Sequence, residues 1–287
     1  MRKPGSGKTP IRKSTKKTSF LTSNGCLLFG SLVLVLLIGI GFHYKNGLAY
    51  YLGFKSDKIS KLRSAVTAQE KRLLGIRNYQ LLNKYEDKVV GFDVSHYQGE
   101  INWEKVKYVE NTALQFVFIR ATAGNDATDA CFNYNWKESK RNGFLRGAYH
   151  YYRPNENSLE QAENFIKTVR LEKGDLPPVL DIEALPENQS IDSLKVGLRR
   201  WLEKVDAHYN VKPIIYTGEK YYNTFLKEEF SDYTFWIANY NFWAEDIKDE
   251  WLFWQFTDSA MIEGVPCRVD INIYNGTPKM LKYLAID

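Results

Sequence analysis

The sequence predicts an α/β fold: an irregular (β/α) barrel of the TIM-like type, placed after an N-terminal transmembrane helix. Three observations predict it. Short bulky or β-branched runs recur over residues 89–287, each ending on a polar residue, with helix-like stretches between several of them. No Gly-rich phosphate loop follows the first run, which argues against the runner-up, an open doubly wound sheet. The stretch 18–44 carries no Asp, Glu, Lys or Arg.

Charge divides the chain at the same place. The whole sequence of 287 residues has a formal charge of +5. Residues 1–90 hold 17 Lys/Arg against 4 Asp/Glu, and residues 91–287 hold 22 against 30. The part expected to fold is therefore acidic, which excludes nucleic acid as its partner on charge grounds. It also holds all seven Trp.

Residues 1–17 are basic, rich in Ser, Thr, Gly and Pro, and read as a cytoplasmic tail. Residues 18–44 centre on CLLFGSLVLVLLIGIGF and are long enough to cross a bilayer, which takes about 20 apolar residues. The basic N-terminal flank sets the orientation: N-terminus inside, C-terminal domain exported to a periplasmic or cell-surface face. An uncleaved anchor is the favoured reading over a cleaved signal peptide, because the basic region is long and Gly47-Leu48-Ala49 lies far beyond the apolar run. Residues 45–88 are a juxtamembrane stalk or linker. Ile59, Leu62, Val66, Leu73 and Leu74 recur at loosely helical spacing, so a helical stalk and a solvated linker both fit.

The exported folded domain is expected over 89–287. Its strand-like runs lead into Asp93, Arg120, His150, Asp181, Thr217, Asn239 and Gln255, and Val269-Asp270-Ile271-Asn272 closes the series. Helices are expected over 158–169, with a capping box of Ser158 and Gln161, over 191–209, and over 133–141. The last strands follow one another with little helix between, so the barrel should close in a partly antiparallel section. Cys131 and Cys267 can pair in an oxidising compartment, although two buried thiols are the default.

Asp181-Ile182-Glu183 is the local motif that carries chemistry. Residues i and i+2 of a strand share a face, so both carboxylates enter one pocket. Like charges held close separate into one protonated and one ionised acid, which suits cleavage of a glycosidic bond. Asp93 and Asp270 sit on the first and last strands, which closure makes neighbours. His96 and His150 lack metal-ligand spacing and no G-x-S-x-G elbow is present, so neither a metal nor a serine nucleophile is expected. Tyr97, Tyr149, Tyr151, Tyr216, Trp236, Tyr240 and Trp254 stand near strand ends. Most aromatics in a domain are core, but flat faces with a polar edge suit sugar rings, and a minority of these, with Asn239, is expected to line a glycan groove.

Eight stretches in order, from GFDVSHYQG at 91–99 through VLDIE at 179–183 to VDIN at 269–272, resemble the glycoside hydrolase family 25 lysozymes. That resemblance covers 89–276. It implies a flattened barrel and hydrolysis, with retention and no cofactor, of the β-1,4 bond between N-acetylmuramic acid and N-acetylglucosamine in peptidoglycan. It implies Glu183 as general acid/base and Asp181 as the group orienting a participating 2-acetamido group. Asp93 and Asp270 match the other acids of the family site. Tyr216 and Trp236 match sugar contacts. A non-catalytic peptidoglycan-binding module and a chitinase-like glycosidase are the alternatives.

Overall fold

A computed structural model gives the fold and describes residues 68–286. The predicted tail, the transmembrane stretch 18–44 and residues 45–67 of the predicted stalk lie outside the described residues. Among the described residues no helix is long and apolar enough to cross a membrane.

The described chain begins with helix α1 (Ala68–Lys84) and strand β1 (Val89–Val94). A hairpin follows, β2 (Tyr108–Val109) with β3 (Thr112–Ala123), and a short edge strand β4 (Ala127–Thr128). Helix α2 (Phe132–Arg141), β5 (Leu145–Tyr151), α3 (Ser158–Thr168), β6 (Val179–Asp181), α4 (Ile191–Tyr209) and β7 (Ile214–Gly218) then alternate. The chain ends with β8 (Thr234–Ala238), β9 (Trp251–Ala260), β10 (Val269–Tyr274) and α5 (Pro278–Leu284).

Eight of these strands close a ring in the order β1-β10-β9-β8-β7-β6-β5-β3, and β3 returns to β1. All neighbours are parallel except β10, which is antiparallel to both β9 and β1. A regular TIM barrel has eight parallel strands, so this ring departs from that type. The reason is local. Residues 261–268 alone connect β9 to β10, too few for a parallel crossover of a dozen or more residues.

Alternation along each strand sorts side chains into two cores. Inside the ring sit Val89, Phe116, Phe118, Val179, Ile214, Trp236, Phe253 and Tyr274. Phe118 stacks on Trp236 at 4.6 Å between centroids, and Phe116 and Phe118 each meet Phe253 at 5.2 Å. Two glycines make room for this aromatic plug. A Cβ on Gly91 would stand 2.4 Å from the Phe116 carbonyl, and one on Gly147 would stand 2.5 Å from the Phe118 ring. The outer core packs the opposite strand faces against α2, α3 and α4.

Helix α4 matches the helix expected over 191–209: Ser190 caps it by accepting from the Ser193 N–H, and Asn210 ends it in the left-handed region at φ 55°. In α3 the expected capping box does not form. Asn157 is the cap, accepting from Leu159 and Glu160, while Gln161 is buried and bonded elsewhere. Cys131 and Cys267 are free thiols, and both are partly exposed rather than buried.

The largest addition to the expected picture is α1. Residues 68–84, within the predicted stalk or linker, are helical and lie on the barrel. Leu73, Leu81 and Leu82 are buried, and the following Tyr85 sets its ring edge-on to Trp254 at 6.2 Å. No helix links β8 to β9, and α1 packs on β9.

The plug gives a stability test. Gly91→Ala is expected to lower unfolding free energy by about 2 kcal/mol or more, an overpacking cost against backbone. Urea midpoints measure it. An unchanged midpoint would mean that Phe116 yields freely.

Candidate active site

The register that buries Val89 inside the ring carries Gly91 and then Asp93 to the mouth. The same parity takes Val179 to Asp181 and Glu183, Phe118 to Arg120, Gly147 to Tyr149 and Tyr151, and Phe253 to Gln255. Because β10 runs backwards, its first residues reach the mouth, so Asp270 faces Asp93 across the β1–β10 pair. A cleft of about 590 Å³ opens there, lined by all four predicted acids and by Tyr97, Tyr149, Tyr216 and Trp236.

Asp93 is the most tightly held of the four. Its Oδ2 accepts from Gln255 Nε2 at 2.7 Å and from Asn272 Nδ2 at 2.8 Å. Each amide is oriented from its far side. The Trp236 indole donates to Asn272 Oδ1 at 2.8 Å. The hydroxyls of Tyr216, at 2.6 Å, and of Tyr240 donate to Gln255 Oε1. With their oxygens thus occupied, both amides present N–H groups to the carboxylate. Burial raises the Asp93 carboxyl, the two amides pull it back, and the Glu183 charge raises it again, leaving it at about 7. Asp270 is pushed up to about 9 by burial and by the Asp93 and Asp258 charges.

Asp181 is buried, and one of its oxygens, Oδ1, has no hydrogen-bond partner. Burial and the charges of Glu183 and Asp93 raise its carboxyl well above the usual range, and it holds a proton toward Glu183. Glu183 is open to solvent along the cleft but walled by protein on its other sides. Burial raises its carboxyl, and the hydrogen bond from Asp181 opposes the rise. Asp181 is therefore held toward its protonated form beside Glu183.

One rim of the cleft is basic and aromatic. Arg120 Nε donates to Asp129 Oδ2 at 2.9 Å, and its guanidinium lies over the Tyr97 ring at 4.9 Å. Asp129 also accepts from the backbone N–H groups of His96 and Cys131, each at 3.0 Å. Tyr97 is 73% exposed, an unburied aromatic platform. His150 faces away from the cleft. The Gln161 amide is oriented by the Arg153 backbone, so its Oε1 accepts from His150 Nε2 at 3.1 Å while Thr122 donates to Nδ1 at 2.7 Å. Burial pushes this imidazole down to about 3, so it stays neutral.

Two predicted sugar contacts lie outside the cleft. Trp254 has the opposite parity to Phe253 and Gln255, so it points into the outer core, fully buried, with its indole donating to the Asn239 carbonyl at 3.1 Å. The Asn239 side chain donates to Glu219 Oε2 at 2.6 Å. Sequence reasoning left Arg120, Asp129, Gln255 and Asn272 without a role, and placed Tyr240 only among the strand-end aromatics. Parity would have found three of them: Asn272 is two residues from Asp270, Gln255 is two from Phe253, and Arg120 is two from Phe118. Asp129 and Tyr240 lie on loops and carry no such signal.

The model of the glycosyl hydrolases family 25 matches residues 92–265. The chain belongs to this family. It is thus a glycoside hydrolase, with its acids at the strand ends where barrel chemistry sits. Lysozyme M1 of Streptomyces globisporus is 33% identical over 212 residues, 69% of this chain and 71% of that protein. YegX of Escherichia coli O6:H1, an uncharacterized protein, is 39% identical over 195 residues, 67% and 71% of the two chains. The solved bacterial lysozyme from Streptomyces coelicolor superposes with a TM-score of 0.62 at 30% identity, covering 69% of this chain and 97% of that one.

Asp93 gives a signed pH test. Its carboxyl moves from 3.8 to about 7, so between those values the folded protein keeps a proton that the unfolded chain has released. Stability from this group is present below about pH 4 and lost as pH rises toward about 7. Asp93→Asn removes that loss. Its melting temperature relative to the parent is expected to rise between about pH 4 and about pH 8. A pH-independent difference in thermal melts would show that Asp93 ionises normally.

Proposed function

We propose that this enzyme is a membrane-tethered muramidase. It cleaves the β-1,4 bond between N-acetylmuramic acid and N-acetylglucosamine in peptidoglycan, with retention. The observation that carries this reading is the convergence of Asp181, Glu183, Asp93 and Asp270 in one cleft of a family 25 barrel. The lysozymes among its relatives support the substrate.

The proton arrangement supports the chemistry. The unpartnered Asp181 Oδ1 suits an amide N–H, the donor that a 2-acetamido group brings. Accepting it favours ionised Asp181, so the proton held toward Glu183 crosses to it. Glu183 then protonates the glycosidic oxygen as that bond breaks. The acetamido carbonyl oxygen attacks C1 and forms an oxazolinium, whose N–H Asp181 stabilises. Water next attacks C1, loses its proton to Glu183 and releases the acetamido group with net retention. Asp93 and Asp270 tune the charge beneath the reacting sugar, and Tyr97 and Tyr149 wall the groove.

The tether is the charge-free stretch 18–44, with the N-terminus in the cytoplasm and the enzyme exported.

Muropeptide mass spectrometry after digestion tests the bond: products ending in reducing N-acetylmuramic acid are expected, and proton NMR should give the β anomer first. Glu183→Gln is expected to lose roughly 10²-fold or more in rate. Full activity in that variant would remove Glu183 from the acid role. Glycan binding without release by the wild type would make the chain a binding module instead.

A further inference from the structure

Helix α1 precedes the family match, which starts at residue 92. Yet its side chains reach the active-site wall. Arg77 is 4% exposed and faces the barrel. Its Nη1 donates to the Phe256 carbonyl at 2.7 Å, and its Nη2 donates to the carbonyls of Asn241 at 3.0 Å and Ala244 at 3.2 Å. These positions are specific. Phe256 directly follows Gln255, and Asn241 directly follows Tyr240. Gln255 and Tyr240 are the two residues that meet in the cleft, where the Tyr240 hydroxyl donates to Gln255 Oε1 and Gln255 Nε2 donates to Asp93.

One planar guanidinium therefore ties the backbone behind both partners of a single active-site hydrogen bond. The rest of the segment holds the same loop. Lys84 donates to the Glu245 carbonyl at 2.9 Å and pairs with Asp246 at 2.6 Å. The Tyr85 hydroxyl donates to the Glu245 carbonyl at 3.1 Å and accepts from Ile247 N–H at 2.9 Å. No helix lies between β8 and β9 to support this loop from within the family-matched region.

We propose that Arg77 is a positioning residue for catalysis: through the backbone of Asn241 and Phe256 it fixes Tyr240 against Gln255, and so holds the amide that fixes Asp93. The N-terminal helix is then part of the catalytic unit and not only a spacer. The catalytic half of this inference rests on the muramidase reading.

The test uses the full chain in detergent micelles. Arg77→Ala is expected to lower kcat on peptidoglycan about tenfold, with a smaller change in KM, as misplacement of a site group does. Tyr240→Phe should lower it similarly. The double variant should be no slower than the slower single, because both act on one contact. Arg77→Lys keeps the buried charge but cannot bridge the Phe256 carbonyl to those of Asn241 and Ala244, and should fall between the parent and Arg77→Ala; it serves if Arg77→Ala does not fold. Effects that multiply in the double variant, or an Arg77→Ala change confined to melting temperature, would overturn the proposal. Amide exchange gives an activity-independent readout. Faster exchange over residues 239–247 in Arg77→Lys, with barrel strands unchanged, is expected, and unchanged exchange there overturns the coupling. An inactive parent would instead dispose of the muramidase reading, leaving the exchange result to decide the positioning.

Discussion

The ring closes through β10, which runs against both its neighbours, and the site depends on that reversal. A parallel closing strand would send its C-terminal end to the mouth. The reversed strand sends Asp270 and Asn272 there instead, beside Asp93. From this follow the amide that holds Asp93, the indole that orients that amide, and the charge that presses on both acids. Short connections after β9 thus decide the electrostatics of the cleft.

Those electrostatics are built from neutral donors. Asp93 receives two amides and no cation. A cation there would hold it ionised across the neutral range. Amides only soften the effect of burial, so the carboxyl stays near the pH at which proton transfers are balanced. Arg120, a guanidinium of the cleft lining, is committed to Asp129.

Much of this was legible in the sequence, for identifiable reasons. Local patterns carried the elements: the helix expected over 191–209 is α4, and each apolar run became a strand. Parity carried Asp181 with Glu183 into one pocket. Where parity was not applied, the reading slipped, and Trp254 went to the cleft when its neighbour Gln255 belongs there. Asn239 slipped because a loop residue has no strand register. The role of α1 was hidden for another reason. Its periodicity is loose, and its partners, Phe256 and Asn241, lie far away along the chain, so nothing local announces them. Gln161 looked like a cap because the spacing allowed it, but a buried imidazole was a stronger claimant for its amide.

The aromatic plug of Phe116, Phe118, Trp236 and Phe253 has a consequence for how a polymer is handled. Those side chains are almost fully buried and fill the barrel below the acids. The barrel axis is therefore closed beneath the acids, and substrate reaches them only from the open side of the cleft. Whatever is released must leave by the side on which it entered.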